Sequence, residues 1–215
     1  MKKKQSNLIP ILGIVSYGIY LLMYILLQVY NVSTGNYYYQ TFFHTTILQL
    51  LKIFIIYGLM TAYMAINCSK KDKKKINQIF SIILFIIAII LIISNLRSMI
   101  SYLGIAIKYI GNKILVGLNL ISQGIDVLAC IMIAINLFGL MIQKKFPYKV
   151  FMIITIALLG MNIIFGLGTS IYTTLLSANI REGITQLFSL ITQVFFICFQ
   201  IFYTLTIYKN GKEIK

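Results

Sequence analysis

The stretch "INQIFSIILFIIAIILIISNL", residues 76–96, decides the fold class. It runs for 21 residues without a charged side chain. At 1.5 Å per residue a helix of about twenty residues crosses the roughly 30 Å hydrocarbon core of a bilayer. The run is continuous, so it lacks the period-two alternation of a membrane barrel strand. Basic residues bracket it: "SKKDKKK" precedes it at 69–75 and Arg97 follows.

Working outward, five similar runs appear, at 8–30, 43–67, 114–142, 150–175 and 184–208. The spacing predicts an all-α fold, a polytopic helical bundle of six transmembrane helices forming a single integral-membrane domain over 1–215. Composition agrees. The chain is 60% hydrophobic and only 11% charged, where a soluble domain has about 25% charged residues. The first run is too long for a signal-peptide core and lacks a small-residue cleavage site, so it reads as a retained helix.

The net charge of +15 does not point to nucleic acid, because it sits in short clusters between apolar runs. Of 19 Lys and Arg, three open the chain, five follow span two, three follow span four and three close it. Only Arg97, Lys108, Lys113 and Arg181 fall on the opposite side, and Lys52 lies within a span. Short basic loops stay cytoplasmic, so both termini are expected inside, with the basic face near anionic lipid headgroups. Tyr30, Tyr37, Tyr38 and Tyr39 gather at the first outer loop, a depth that amphipathic rings favour. The lysine and isoleucine bias points to a bacterial cytoplasmic membrane. In 97–112, Arg97, Ser101, Gly104, Lys108 and Gly111 recur at helical spacing, opposite Met99, Ile100, Leu103 and Ile107. This pattern predicts an interfacial amphipathic helix.

Polar residues inside the spans form stripes. Gln49 and Lys52 share one face of span two with Thr45. Asn119, Gln123 and Asp126 share one face of span four. Gln186, Ser189 and Gln193 share one face of span six, and Gln200 extends it. Gln49, Gln123 and Gln193 each follow an Ile-x pair, 74 and 70 residues apart, which hints at three hairpin repeats. Lys52 is the deep cation and Asp126 the deep carboxylate. Each costs about 2.5–3.5 kcal/mol at a helix centre. Their depths differ by roughly 5 Å at 1.5 Å per residue, so pairing is expected to offset part of that cost. The stripes are expected to wall an outward-facing polar pocket, a solute site or a structural ion pair. Spans one and five carry Gly13, Ser16, Gly18, Gly160, Gly166, Gly168 and Ser170, a close-packing signal.

Catalytic patterns are absent. Cys68, Cys130 and Cys198 have no CxxC spacing, a lone His44 has no metal-ligand partners, and neither HExxH nor a phosphate loop occurs. The four acidic residues leave no buried carboxylate pair for acid–base work. No enzyme activity, cofactor or metal is expected. Six spans with both ends inside are similar in topology to the membrane-embedded solute-binding subunits of bacterial vitamin importers. No motif is shared, and topology does not carry function. The expected role is transport-related binding of a small solute, with energy supplied by a protein partner subunit or an ion gradient. The alternative is a non-catalytic accessory: a toxin or bacteriocin immunity protein, or a signalling or assembly subunit.

The orientation has a direct check. Cysteine at Gly35 or Asn179 is expected to react with a membrane-impermeant thiol reagent in intact cells. Cysteine at Asp72 or Lys145 is expected to react only after permeabilisation. The reverse pattern inverts the topology.

Overall fold

The computed structural model describes residues 7–33, 49–68, 74–108, 113–142, 146–176 and 180–213. All six expected spans are helices long and apolar enough to cross a membrane. They are α1 (Leu8–Ser33), α2 (Gln49–Cys68), α3 (Lys74–Lys108), α4 (Lys113–Ile142), α5 (Tyr148–Leu176) and α6 (Ile180–Glu213). The start of span two, Thr45 and His44 lie outside the described residues. Helix is the form these sequences must take in lipid, because it satisfies every interior backbone group within its own segment. The amphipathic stretch beginning at Arg97 is helical, as its periodicity predicts. It continues α3 without a break to Lys108 and is not a separate interfacial element. Residues 109–112 lie outside the described part.

The helices stand as a ring in chain order. Each packs on its neighbours in sequence, α6 closes onto α1, and α6 also meets α2 and α4 across the middle. The α2–α3 seam is the sparsest of the sequential contacts. The core lies among α2, α3, α4 and α6, where Tyr63, Met64, Leu84, Leu137, Phe199 and Tyr203 are completely buried. Outward-facing residues are apolar, as at Val29, Ile93, Ile164 and Leu175, which suits contact with acyl chains. Lipid is as apolar as leucine, so burial adds little drive for association. Close packing and interhelical hydrogen bonds do that work.

The start of α1 and the end of α6 share one face of the bundle, the terminal face. Asn7 Nδ2 donates to the Cys68 carbonyl at 3.2 Å. Asn210 Nδ2 donates to the Tyr63 hydroxyl at 2.6 Å. Asn67 and Asn77 exchange paired amide bonds at 3.3 Å, joining α2 to α3. Buried threonines need no such partner. Thr204 and Thr206 bond the carbonyls of Gln200 and Phe202, one turn back in their own helix.

α2 contains a π-helical turn at Ile53–Tyr57, directly after Lys52. A π turn leaves a carbonyl without its usual partner. Here the Tyr17 hydroxyl of α1 donates to the Ile53 carbonyl at 3.2 Å.

The small-residue signal resolves unevenly. A Cβ on Gly13 would sit 2.5 Å from Met64 Sδ and 3.0 Å from Phe202 Cβ, so α1 approaches α2 and α6 closely there. A Cβ on Gly166 would sit 2.7 Å from the Gln193 amide. Gly18, Gly160 and Gly168 face open space. Gly13→Leu is therefore expected to destabilise the protein by about 1–3 kcal/mol, through overpacking. Gly18→Leu is expected to leave stability nearly unchanged. Thermal unfolding in detergent measures both, and equal losses would show that α1 makes no close approach at Gly13.

Candidate functional site

Of the polar residues expected to converge, Gln49, Lys52, Asn119 and Asp126 are instead answered pairwise by neighbouring helices. Gln49 is exposed, and its Oε1 accepts from the Tyr24 hydroxyl of α1 at 3.3 Å. Lys52 is half-buried, and its Nζ donates to Ser94 Oγ of α3 at 3.4 Å, a long bond. Asn119 of α4 donates to the Tyr102 hydroxyl of α3 at 3.0 Å. Gln193 of α6 lies over the bare backbone of Gly166 in α5. Gln186 is half-buried and Ser189 exposed on α6. Gln49, Gln123 and Gln193, which share the Ile-x-Gln spacing, thus occupy three different environments.

Asp126 is the centre of the most connected group. Its Oδ1 accepts a hydrogen bond from Asn162 Nδ2 of α5. Asn162 is itself buried, at 2% exposure, and its Oδ1 accepts from Ser122 Oγ at 2.7 Å. Ser122 and Asp126 are one turn apart on α4, so the single amide of Asn162 is gripped from both ends. That arrangement fixes the amide's orientation, with its NH2 toward the carboxylate. Three residues before Asp126 on α4, Gln123 Oε1 is buried with no hydrogen-bond partner among the described residues.

The direct Lys52–Asp126 ion pair expected from charge balance is not made. Lys52 turns to α3 and Asp126 to α5. Cys130, one turn after Asp126 on α4, accepts on its Sγ from Asn95 Nδ2 of α3, the residue next to Ser94, at 3.5 Å. The reason is positional. In a ring built in chain order α2 and α4 are separated by α3, and each charge takes the polar group on the helix beside it.

Two features of this cluster escaped the sequence reading. Asn162 stands alone in an apolar span, at a depth in α5 matching Asp126 in α4, and that solitary amide was the usable signal. Ser94 and Asn95 of α3 serve as partners for Lys52 and Cys130. Among the described residues no three His, Cys, Asp or Glu side chains gather to hold a metal. The cluster can therefore offer oxygen acceptors, Asp126 and Gln123, to a ligand that donates hydrogen bonds or carries positive charge. It has no nucleophile–base pair.

A small cavity of about 10 Å³ lies deeper, lined by residues that include Tyr57, Met60, Cys130, Gln200 and Tyr203. Gln49, Lys52, Gln123, Asp126 and Gln193 do not line it.

Double-mutant cycles separate the two arrangements. Lys52→Met and Asp126→Asn are expected to add within about 0.5 kcal/mol, as groups without a shared contact do. Asp126→Leu and Asn162→Leu are expected to couple by about 0.5–3 kcal/mol, as contacting groups do. Melting in detergent of the single and double variants checks both. Strong coupling at Lys52 with none at Asn162 would restore the direct ion pair.

Compared with family models, curated proteins and solved structures, the chain matches none.

Proposed function

We propose that this multi-pass membrane protein is a non-enzymatic, transport-related subunit in which Asp126 receives a proton or a small cationic solute. The observation that supports this reading is the partner of that carboxylate. A charge deep in a span is costly, and intramembrane ionisable groups are usually kept for use. Asp126 is met by the neutral amide of Asn162 and, among the described residues, by no cation at ion-pair distance. A carboxylate with two oxygens has acceptor capacity beyond one bond. Gln123 Oε1, on the same face of α4, is a second acceptor without a partner among the described residues. The pair is complementary to a donor-rich cation. Ser122 and Asn162 position the carboxylate, and Lys52, bonded to Ser94, sets the positive side of the local field. The proposed site is the cell membrane of a bacterium, with the basic loops toward anionic headgroups and with energy coupling supplied by a protein partner or an ion gradient.

A second reading, a membrane accessory such as an immunity or assembly protein, has its own support. Gln49, Lys52 and Asn119 are satisfied by neighbouring helices. Such bonds act as glue between spans, and a bundle stitched this way needs no solute pocket.

A ligand screen distinguishes the two. Purified protein is melted in detergent with alkali cations, ammonium, guanidinium and short polyamines. A binder at about 100 times its Kd stabilises by about 2.7 kcal/mol. The transport reading expects stabilisation by at least one cation in the wild type, its loss in Asp126→Asn and its retention in Lys52→Met. Stabilisation unaffected by Asp126→Asn removes that reading. So does a blank screen accompanied by reconstituted vesicles that take up neither protons nor cations, and the accessory reading then stands.

A further inference from the structure

The cavity near the middle of the bundle is walled by Tyr57 and Met60 of α2, Ala88 of α3, Cys130 of α4, and Gln200 and Tyr203 of α6. Its volume of about 10 Å³ is at the lower bound for one water molecule, about 10–15 Å³. Two polar atoms of the lining residues have no partner among the described residues. Gln200 Oε1 and the Tyr203 hydroxyl are both buried and unbonded, and Tyr203 is completely enclosed, at 0% exposure. The two residues are three apart on α6, so their side chains are neighbours on one face. An unpartnered polar atom in an apolar interior is costly. Two of them beside one water-sized space is an arrangement that a single guest resolves.

We infer that this cavity is an internal water site, in which one water is hydrogen-bonded to Gln200 Oε1 and to the Tyr203 hydroxyl. Water matches both atoms. The amide oxygen only accepts, so the guest must donate, and the phenol can donate or accept in return. Cys130 Sγ, which also lines the cavity, adds a weak third partner. A metal cation would need about six oxygen ligands, and beyond Gln200 and Tyr203 the lining side chains hold only one more oxygen, that of Tyr57.

The site lies between two polar groups already described. On one side Cys130 accepts from Asn95, near Lys52 and Asp126. On the other, the Tyr203 ring meets Tyr63 edge-on, with centroids 6.0 Å apart, and the Tyr63 hydroxyl accepts from Asn210 at the terminal face. The water places a hydrated point between these groups, in a part of the bundle where the remaining wall is mostly apolar. This inference does not rest on the transport reading.

Radiolytic labelling of the purified full-length protein tests it. A short X-ray pulse converts an internal water into hydroxyl radical, which oxidises the side chains beside it. Met60 lines the cavity, whereas Met64, one turn further on and completely buried, does not. Met60 is expected to be oxidised several-fold faster than Met64. Joint Gln200→Leu and Tyr203→Phe substitution strips the water of both partners and is expected to bring the Met60 rate down to that of Met64. Equal rates at the two methionines in the unaltered protein overturn the inference, and that comparison holds whether or not the variant folds. A Met60 rate unchanged in a folded double variant overturns it as well.

Discussion

In hydrocarbon a polar side chain has no water to fall back on, and this constraint organises the bundle. Its clearest expression is the grip of Ser122 and Asp126 on the buried amide of Asn162. One bond orients the amide and the other presents its NH2 to the carboxylate. Because both α4 residues lie on one face a turn apart, the contact fixes the rotation of α4 against α5. The same rule recurs at three other seams. Tyr24 meets Gln49 between α1 and α2, and Lys52 meets Ser94 between α2 and α3. Asn95 meets Cys130 between α3 and α4. Each is worth little alone, on the order of 0.6 kcal/mol in membrane proteins. Together they select one arrangement of six similar apolar rods.

Packing then supplies what the polar contacts leave open. Gly13 and Gly166 admit close approach at two seams, and the aromatic column of Tyr57, Phe196 and Phe199 fills the space where α2 meets α6. The π turn in α2 belongs to the same economy. It follows Lys52 directly, and the carbonyl at its start is answered by Tyr17 from the next helix. Local irregularity in a span is tolerated where a neighbour restores the missing bond.

The two ends of the bundle differ in kind. Toward the terminal face the buried polar contacts are neutral amide and phenol pairs, Asn67–Asn77 and Asn210–Tyr63. Toward the opposite end the polar groups include the two charges, and those charges are held apart on either side of α3. A deep carboxylate answered by an amide differs from one neutralised by a lysine. It retains acceptor capacity and an unbalanced charge, and this asymmetry directs the functional reading to Asp126 and away from Lys52.

The sequence by itself determined the six spans, their helical form and the polar residues that share a face within each. Those follow from local properties: the length of uncharged runs such as 76–96, and the impossibility of open backbone in lipid. It also marked Gln123 and Asp126 as neighbours, since spacing along one helix is a local matter. Only the tertiary structure decided which helix each stripe would face. Charge balance along the chain pointed Lys52 at Asp126, yet in the ring α3 stands between their helices. Ser94 and Asn162 became the partners instead. Helical periodicity fixes the face on which a side chain lies, whereas its partner depends on the order and rotation of helices, which apolar spans of similar length leave undetermined until they pack.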